Sequence, residues 1–266
     1  MKNLLTIAGS DCSGGAGIQA DLKSFAAQGT YGMSVITAVT AQNTQDVRAI
    51  ENIAPEIVTK QIETVFDDIR VDGVKIGMLS CVDIIDAVAK GLQKYQPQLV
   101  VLDPVMVAKS GAMLLQPQAC ADLIKKLLPL TTVVTPNIPE AEVITGMKIE
   151  NKADMLKVAK AILALGPQYV LLKGGHFDGS PDDLLLGKDV EHWYQGERID
   201  TPNTHGTGCS LSSALAALLA KGVSVTEAVQ QAKDYVALGI KNALAIGHGH
   251  GPIHHFVELY EKAGMN

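Results

Sequence analysis

The stretch Asn203-Thr204-His205-Gly206-Thr207-Gly208-Cys209-Ser210 sets two glycines directly ahead of an apolar, Ala-rich segment of helical character. Glycine lets a backbone come close to a phosphate, the unpaired amides of a first helical turn donate to its oxygens, and the macrodipole adds about half a positive charge. The thiol of Cys209 stands in the same turn, so an anion cradle and an ionisable group share one spot. An isolated cysteine there equally suits a small packed residue of the helix. As a reactive group, its pKa is expected to be depressed by the dipole and raised again by a bound polyphosphate.

Other chemistry-bearing residues follow short apolar runs. Asp103 comes directly after Leu99-Val100-Val101-Leu102, where a carboxylate is costly without a cation or donor beside it. Asn137-Ile138-Pro139-Glu140 supplies hard oxygens of the kind that suit Mg²⁺ held partly through water, although the same spacing also suits an N-cap with a capping box. Lys173 ends Val170-Leu171-Leu172 and precedes two glycines, which projects its ammonium beyond the strand; a nucleotide phosphate is its natural partner, a solvated strand end the plainer reading. Gly9-Ser10-Asp11-Cys12-Ser13-Gly14-Gly15-Ala16-Gly17 resembles a phosphate loop in composition but has neither the dinucleotide nor the Walker spacing, and a tight turn with a helix start accounts for it equally. Asp21, one turn beyond Gly17, faces either solvent or the site. His248, His250, His254 and His255 invite a metal-site reading, but their glycine neighbours and the lack of adjacent acids or thiolates favour a loop with incidental histidines.

These residues need a frame, and the chain provides an alternation of short β-rich runs with longer amphipathic ones. Strands are expected over Asn3 to Ala8, Met33 to Thr40, Gly73 to Ile76, Gln98 to Leu102, Val133 to Thr135 and Tyr169 to Lys173. Between them, helices are expected over Gly17 to Gln28, Glu56 to Ile69, Val82 to Lys94, Pro117 to Leu128 and Lys152 to Leu165. Continuous apolar strands fit a mostly parallel sheet covered on both faces. Asp183 to Ile199, with Gly187 and Gly196 as turn signals, reads as small antiparallel edge strands. After Gly206 the chain reads as helical to about Ala245, broken at Gly222-Val223-Ser224, where Ser224 can cap the next helix. Ligands of such α/β sheets bind beyond the carboxyl ends of the strands. There the chain carries Gly9-Ser10-Asp11, Gln42-Asn43, Gly77-Met78, Asp103-Pro104, Pro136-Asn137 and Lys173-Gly174-Gly175.

Composition narrows the partners. At 266 residues and 47% hydrophobic content the chain can bury a large core, and without a linker, repeat or low-complexity stretch residues 1–266 read as one domain. A net charge of −6 argues against a nucleic-acid surface, while a small anionic ligand needs only local donors. Cys12, Cys81, Cys120 and Cys209 form no Cys-x-x-Cys pair, the amino terminus has no targeting pattern, and the apolar runs fall short of the roughly 18 residues of a membrane span. A reduced, cytoplasmic protein is expected.

Together, Gly9-Ser10-Asp11-x-Ser13-Gly14-Gly15-Ala16-Gly17-Ile18-Gln19-Ala20-Asp21, Asp103-Pro104-Val105-Met106, Asn137-x-x-Glu140 and Gly206-Thr207-Gly208-Cys209 resemble the ribokinase superfamily. Within it the chain resembles the hydroxymethylpyrimidine/phosphomethylpyrimidine kinases of thiamine biosynthesis, from the first strand to about Pro252. The resemblance implies a ribokinase-like α/β fold, a homodimer, and ATP-dependent phosphorylation of 4-amino-5-hydroxymethyl-2-methylpyrimidine and then of its monophosphate. It implies that Gln42 pairs with the aminopyrimidine, that Gly9, Asp21, Met78 and Val105 complete that pocket, and that Asp21 accepts from the amino group. Lys173 would contact ATP phosphates, Asp103 and Glu140 with Asn137 would hold Mg²⁺ and its waters, and Gly206, Thr207 and Gly208 would form the anion hole. Sugar kinases of the superfamily usually carry Asp where Cys209 stands; here the resemblance implies the thiol as base. Pyridoxal kinases of the superfamily share the Gly-Thr-Gly-Cys form and remain the rival activity, and a non-catalytic sensor is the rival of another class.

Overall fold

A computed structural model describes residues 1–106, 115, 117–175 and 181–265. Its strands are β1 (Asn3–Asp11), β2 (Tyr31–Gln42), β3 (Val47–Asn52), β4 (Gly73–Ile76), β5 (Val100–Leu102), β6 (Val133–Val134), β7 (Tyr169–Leu172), β8 (Asp183–Gly187) and β9 (Val190–Tyr194). Its helices are α1 (Gly17–Ala27), α2 (Pro55–Asp68), α3 (Val82–Tyr95), α4 (Pro117–Lys126), α5 (Ile138–Thr145), α6 (Lys152–Leu163), α7 (Thr207–Ala220), α8 (Val225–Lys241) and α9 (Val257–Ala263). The strands form one sheet in the order β3-β2-β1-β4-β5-β6-β7-β8-β9. From β2 to β7 the pairing is parallel, and β3 at one edge and β8–β9 at the other are antiparallel.

Strand period explains how the sheet is covered. Leu5, Ile7, Val74, Ile76, Val100, Leu102, Val134, Val170 and Leu172 pack with α2 to α6 on one face. Their alternates Leu4, Val101, Val133 and Leu171 pack with α1, α7 and α8 on the other, so the apolar runs are continuous because both faces are buried. One alternate breaks the rule. Lys75 lies between Val74 and Ile76 and is directed to the α1–α7 side, fully buried.

The expected βαβ alternation is present, with differences at the ends. β1 runs to Asp11 rather than Ala8, because Ser10 and Asp11 still pair with β2 beyond a bulge. The polar, mostly exposed β3 and the terminal α9 lack the apolar period that marks the other elements, and the sequence reading did not include them. Ser224 occupies the N-cap of α8 in an extended conformation, but its side chain makes no capping hydrogen bond. Among the described residues no helix is long and apolar enough to cross a membrane.

Candidate active site

The carboxyl ends of β1, β2, β4, β5, β6 and β7 open into a cleft of about 960 Å³ that also takes in the amino end of α7. Gly206 starts α7 in the left-handed region (φ 81°), and a Cβ there would lie 1.8 Å from the carbonyl oxygen of Gly15. Only glycine allows the first loop and the α7 start to touch in this way. A Cβ on Gly208 would meet Asp103 Oδ2 at 3.4 Å and Lys173 Nζ at 3.6 Å, so the first turn of α7 looks directly at that pair.

Lys173 Nζ donates to Asp103 Oδ1 at 3.0 Å, and Thr135 Oγ1 donates to the same oxygen at 3.1 Å. Burial would lower the lysine's pKa, but Asp103 and Glu140 outweigh it and hold the ammonium above its usual value. Asn137 caps α5 in a full capping box: its side chain accepts from Glu140 N at 2.9 Å, and Glu140 Oε2 accepts from Asn137 N at 2.8 Å. The N-cap reading of this motif therefore holds. The box leaves Glu140 buried, and burial, with Asp103 nearby and only partly opposed by Lys173, pushes its carboxyl up to about 7. Two buried carboxylates facing one ammonium form a donor set that a hard divalent cation would neutralise. Past Lys173 the cleft continues along α8, where Pro139, Val143, Val236, Ala237 and Ile240 give it an apolar lining.

At the other end, half-buried Gln42 stands with its amide 3.3 Å from Thr40 Oγ1 and 3.4 Å from His205 Nε2. Met78 and Val105 also line the cleft, and Gly9 passes so close to Met78 that a Cβ would lie 3.3 Å from its sulfur. The glycine-rich first loop is no phosphate cradle. Its amides turn inward, Ser13, Gly15 and Ala16 donating backbone N–H groups to the Asp11 carboxylate at 2.9, 3.2 and 2.8 Å.

Two expectations are overturned. Asp21 does not reach the cleft: it is fully buried between α1, β4 and α7, where Lys75 Nζ donates to its oxygens at 2.8 and 2.9 Å, Thr6 at 2.6 Å and Ser213 at 2.7 Å. With its acceptors taken by four donor contacts it has none to offer an amino group. Nor does the dipole depress the Cys209 thiol. Burial pushes it up to about 11, Lys75 opposes this, Asp21 and Asp103 add to it, and an N–H from Gly17 to the sulfur relieves it in part. Lys75 and His205 escaped the sequence reading. The signals were there, a lysine inside an apolar strand and a histidine beside the Gly-Thr-Gly turn, but their partners are 54 and 194 residues away. The C-terminal histidines go elsewhere: His255 Nε2 faces Ser210 Oγ at 2.9 Å, His250 Nδ1 faces the Pro202 carbonyl at 2.8 Å, and His254 Nδ1 accepts from Phe256 N at 3.1 Å.

Comparison with known proteins agrees with this geometry. The family model described as phosphomethylpyrimidine kinase matches residues 11–254. A hydroxymethylpyrimidine/phosphomethylpyrimidine kinase from Rhizobium meliloti is 53% identical over 95% of this chain and 96% of its own. The crystal structure of a Clostridium difficile phosphomethylpyrimidine kinase superposes with a TM-score of 0.82 at 54% identity, covering 89% of this chain and 98% of that one. An ADP complex of a Bacillus subtilis pyridoxal kinase superposes with a TM-score of 0.90 at 41% identity, over 97% and 99% of the two chains. With a family model spanning nearly its whole length and relatives above half identity, the chain belongs to the phosphomethylpyrimidine kinase family.

Proposed function

We propose that this kinase transfers the γ-phosphoryl group of ATP to the hydroxymethyl oxygen of 4-amino-5-hydroxymethyl-2-methylpyrimidine, and then phosphorylates the monophosphate to the pyrophosphate, in thiamine biosynthesis. One observation carries the reading: the amino end of α7 faces the Asp103–Lys173 pair in the same cleft that Gln42, Met78 and Val105 line. Gln42 offers a donor and an acceptor to the ring nitrogen and exocyclic amine, and Met78 and Val105 give apolar contact to the ring and its methyl group. Gly9 leaves room for the ring. The apolar lining along α8 suits the nucleotide base, and Lys173 lies toward its phosphates.

The backbone amides of Gly206, Thr207 and Gly208 meet the charge that spreads over the transferring phosphoryl oxygens, and positioning with electrostatics accounts for most of the acceleration. Asp103 and Glu140, with Asn137, would hold Mg²⁺, partly through water; when bound it neutralises phosphate charge. A new O–P bond forms at the hydroxymethyl group as the bond to ADP breaks, and the hydroxyl proton passes to the Cys209 sulfur in its thiolate form, which Lys75 favours. In a loose transition state that proton leaves late, so little early proton abstraction is asked of the thiolate. If Cys209→Ala kept near-normal turnover at saturating substrates, this role would be lost and the anion hole would act alone.

The pyridoxal kinase superposition makes pyridoxal the rival substrate. Gln42 favours the aminopyrimidine, whose edge matches both halves of an amide. A coupled assay offering hydroxymethylpyrimidine, its monophosphate, pyridoxal and ribose in parallel decides it: the highest kcat/KM is expected for the two pyrimidines, and pyridoxal ahead of both would overturn the assignment. A homodimer, a cytoplasmic location and a single kinase unit over residues 1–266 complete the proposal on the resemblance, with the dimer open to gel filtration.

A further inference from the structure

Gln42 can recognise an aminopyrimidine edge only if its amide faces the right way round, and its two neighbours bear on that. Asp11 accepts from Ser13 N, Ser13 Oγ, Gly15 N and Ala16 N, and its Oδ2 lies 2.8 Å from His205 Nε2. Burial alone would raise the Asp11 carboxyl, but the bonds from His205, Ser13 and Ala16 outweigh it and keep the group ionised. An ionised carboxylate only accepts, so His205 Nε2 carries the hydrogen and has no lone pair to offer Gln42. On the other side, Thr40 Oγ1 lies 3.0 Å from the Ser10 carbonyl oxygen. Its single hydrogen goes there, leaving only lone pairs toward Gln42.

The amide nitrogen stands 3.4 Å from His205 Nε2 and the amide oxygen 3.3 Å from Thr40 Oγ1. That sets donor against donor on one side and acceptor against acceptor on the other. A half turn of the amide, which changes no volume, puts its NH₂ on the Thr40 lone pairs and its carbonyl beside the His205 N–H, whose one hydrogen is shared with Asp11.

We infer that His205 and Thr40 are positioning residues that fix the polarity of the Gln42 amide, carbonyl toward His205 and NH₂ toward Thr40, and so set the specificity of the pocket. The ligand then meets an acceptor and a donor in one fixed order. Its complement is a ring nitrogen beside an exocyclic amine in a single sense. The reverse order turns the ring over and carries its hydroxymethyl arm away from Cys209, and an edge with two acceptors loses one of its bonds. His205 N also donates to the Gly251 carbonyl and Gly206 follows His205 directly, so pyrimidine recognition and the anion hole share one anchor.

This inference rests on Gln42 being the residue that reads the pyrimidine, and three variants separate the two ideas: His205→Phe, which keeps a flat ring without the N–H, Thr40→Val, and Gln42→Leu. Hydroxymethylpyrimidine binding is measured by calorimetry without ATP, and kcat and KM are measured for hydroxymethylpyrimidine and pyridoxal. His205→Phe and Thr40→Val are each expected to weaken pyrimidine binding about tenfold, to raise KM with kcat little changed, and to narrow the preference over pyridoxal. If Gln42→Leu weakens binding but the other two do not, the polarity inference fails and the pocket assignment stands. If Gln42→Leu has no effect, both fail. A fall in kcat alone, equal for the two substrates, would mean a purely structural role and overturn the inference, and Thr40→Val, remote from Gly206, carries the test should His205→Phe not fold.

Discussion

Lys75 and Asp21, on β4 and α1, form a fully buried ion pair with Nζ 2.8 and 2.9 Å from the two carboxylate oxygens, directly beneath the amino-terminal half of α7. Ser213, one helical turn beyond Cys209, donates to the same carboxylate at 2.7 Å. Taking either partner away leaves a charge without compensation in the interior. Asp21→Asn and Lys75→Met are each expected to cost about 3–5 kcal/mol, and the double variant much less than their sum. Urea midpoints for the four proteins measure this; additive losses would mean the two charges do not depend on each other.

The pair also bears on the thiol. Lys75 is the strongest influence opposing the rise of the Cys209 pKa, and it lines the same cleft. In Lys75→Met, iodoacetamide should modify Cys209 several-fold more slowly than in the parent at pH 8. Peptide mapping distinguishes this from reaction at exposed Cys12. An unchanged Cys209 rate would remove Lys75 from the account of its reactivity.

Gly206 and Gly208 fail differently when replaced. A methyl at Gly206 falls 1.8 Å from a backbone oxygen and at a positive φ, so Gly206→Ala should lose stability outright. At Gly208 the methyl makes ordinary contacts at 3.4 and 3.6 Å and projects toward Asp103 and Lys173, where the phosphoryl group is proposed to lie. Gly208→Ala should melt within a few degrees of the parent and lose about 10²-fold in kcat.

His255 supplies a pH dependence. Burial, with Lys23 and His254 adding to it, lowers its pKa to about 4 from 6.5. Between those values the unfolded chain binds a proton that the folded one refuses, so this contribution is complete above about pH 6.5 and is lost as pH falls to about 4, a change of roughly 3 kcal/mol. His255→Gln should flatten the melting temperature profile across that range. A profile as steep as the parent's would assign the acid sensitivity elsewhere.

Chelation tests the carboxylates. Turnover should vanish with excess EDTA and return with Mg²⁺. Glu140→Gln should raise the Mg²⁺ concentration for half activity by roughly tenfold or more, while Lys173→Met should act mainly on KM for ATP. Half activity at an unchanged Mg²⁺ concentration in Glu140→Gln would take that residue out of the metal set.

Local chemistry carried much of this protein. Apolar runs such as Leu99-Val100-Val101-Leu102 announce strands because burial on both faces demands them, and the polar residues that follow each run line the cleft because a parallel sheet collects its carboxyl ends on one side. Gly206 in the Gly-Thr-Gly turn is legible because no other residue tolerates its positive φ and its close approach to Gly15. What tertiary structure alone decided are the quantities that depend on distant partners. Asp21 has the spacing of a site residue, yet its role was settled by a lysine 54 residues on that the sheet brings within 2.8 Å. The helix start at Cys209 favours a lower pKa, and burial against α1 and β4 reversed the sign, because removing the thiolate from water costs more than a dipole and one ammonium return. Asp11 and His205, 194 residues apart, meet only in the fold. Sequence determines which groups are available and on which strand face they emerge; desolvation and pairing, which decide their charge and direction, exist only once the chain has closed around them.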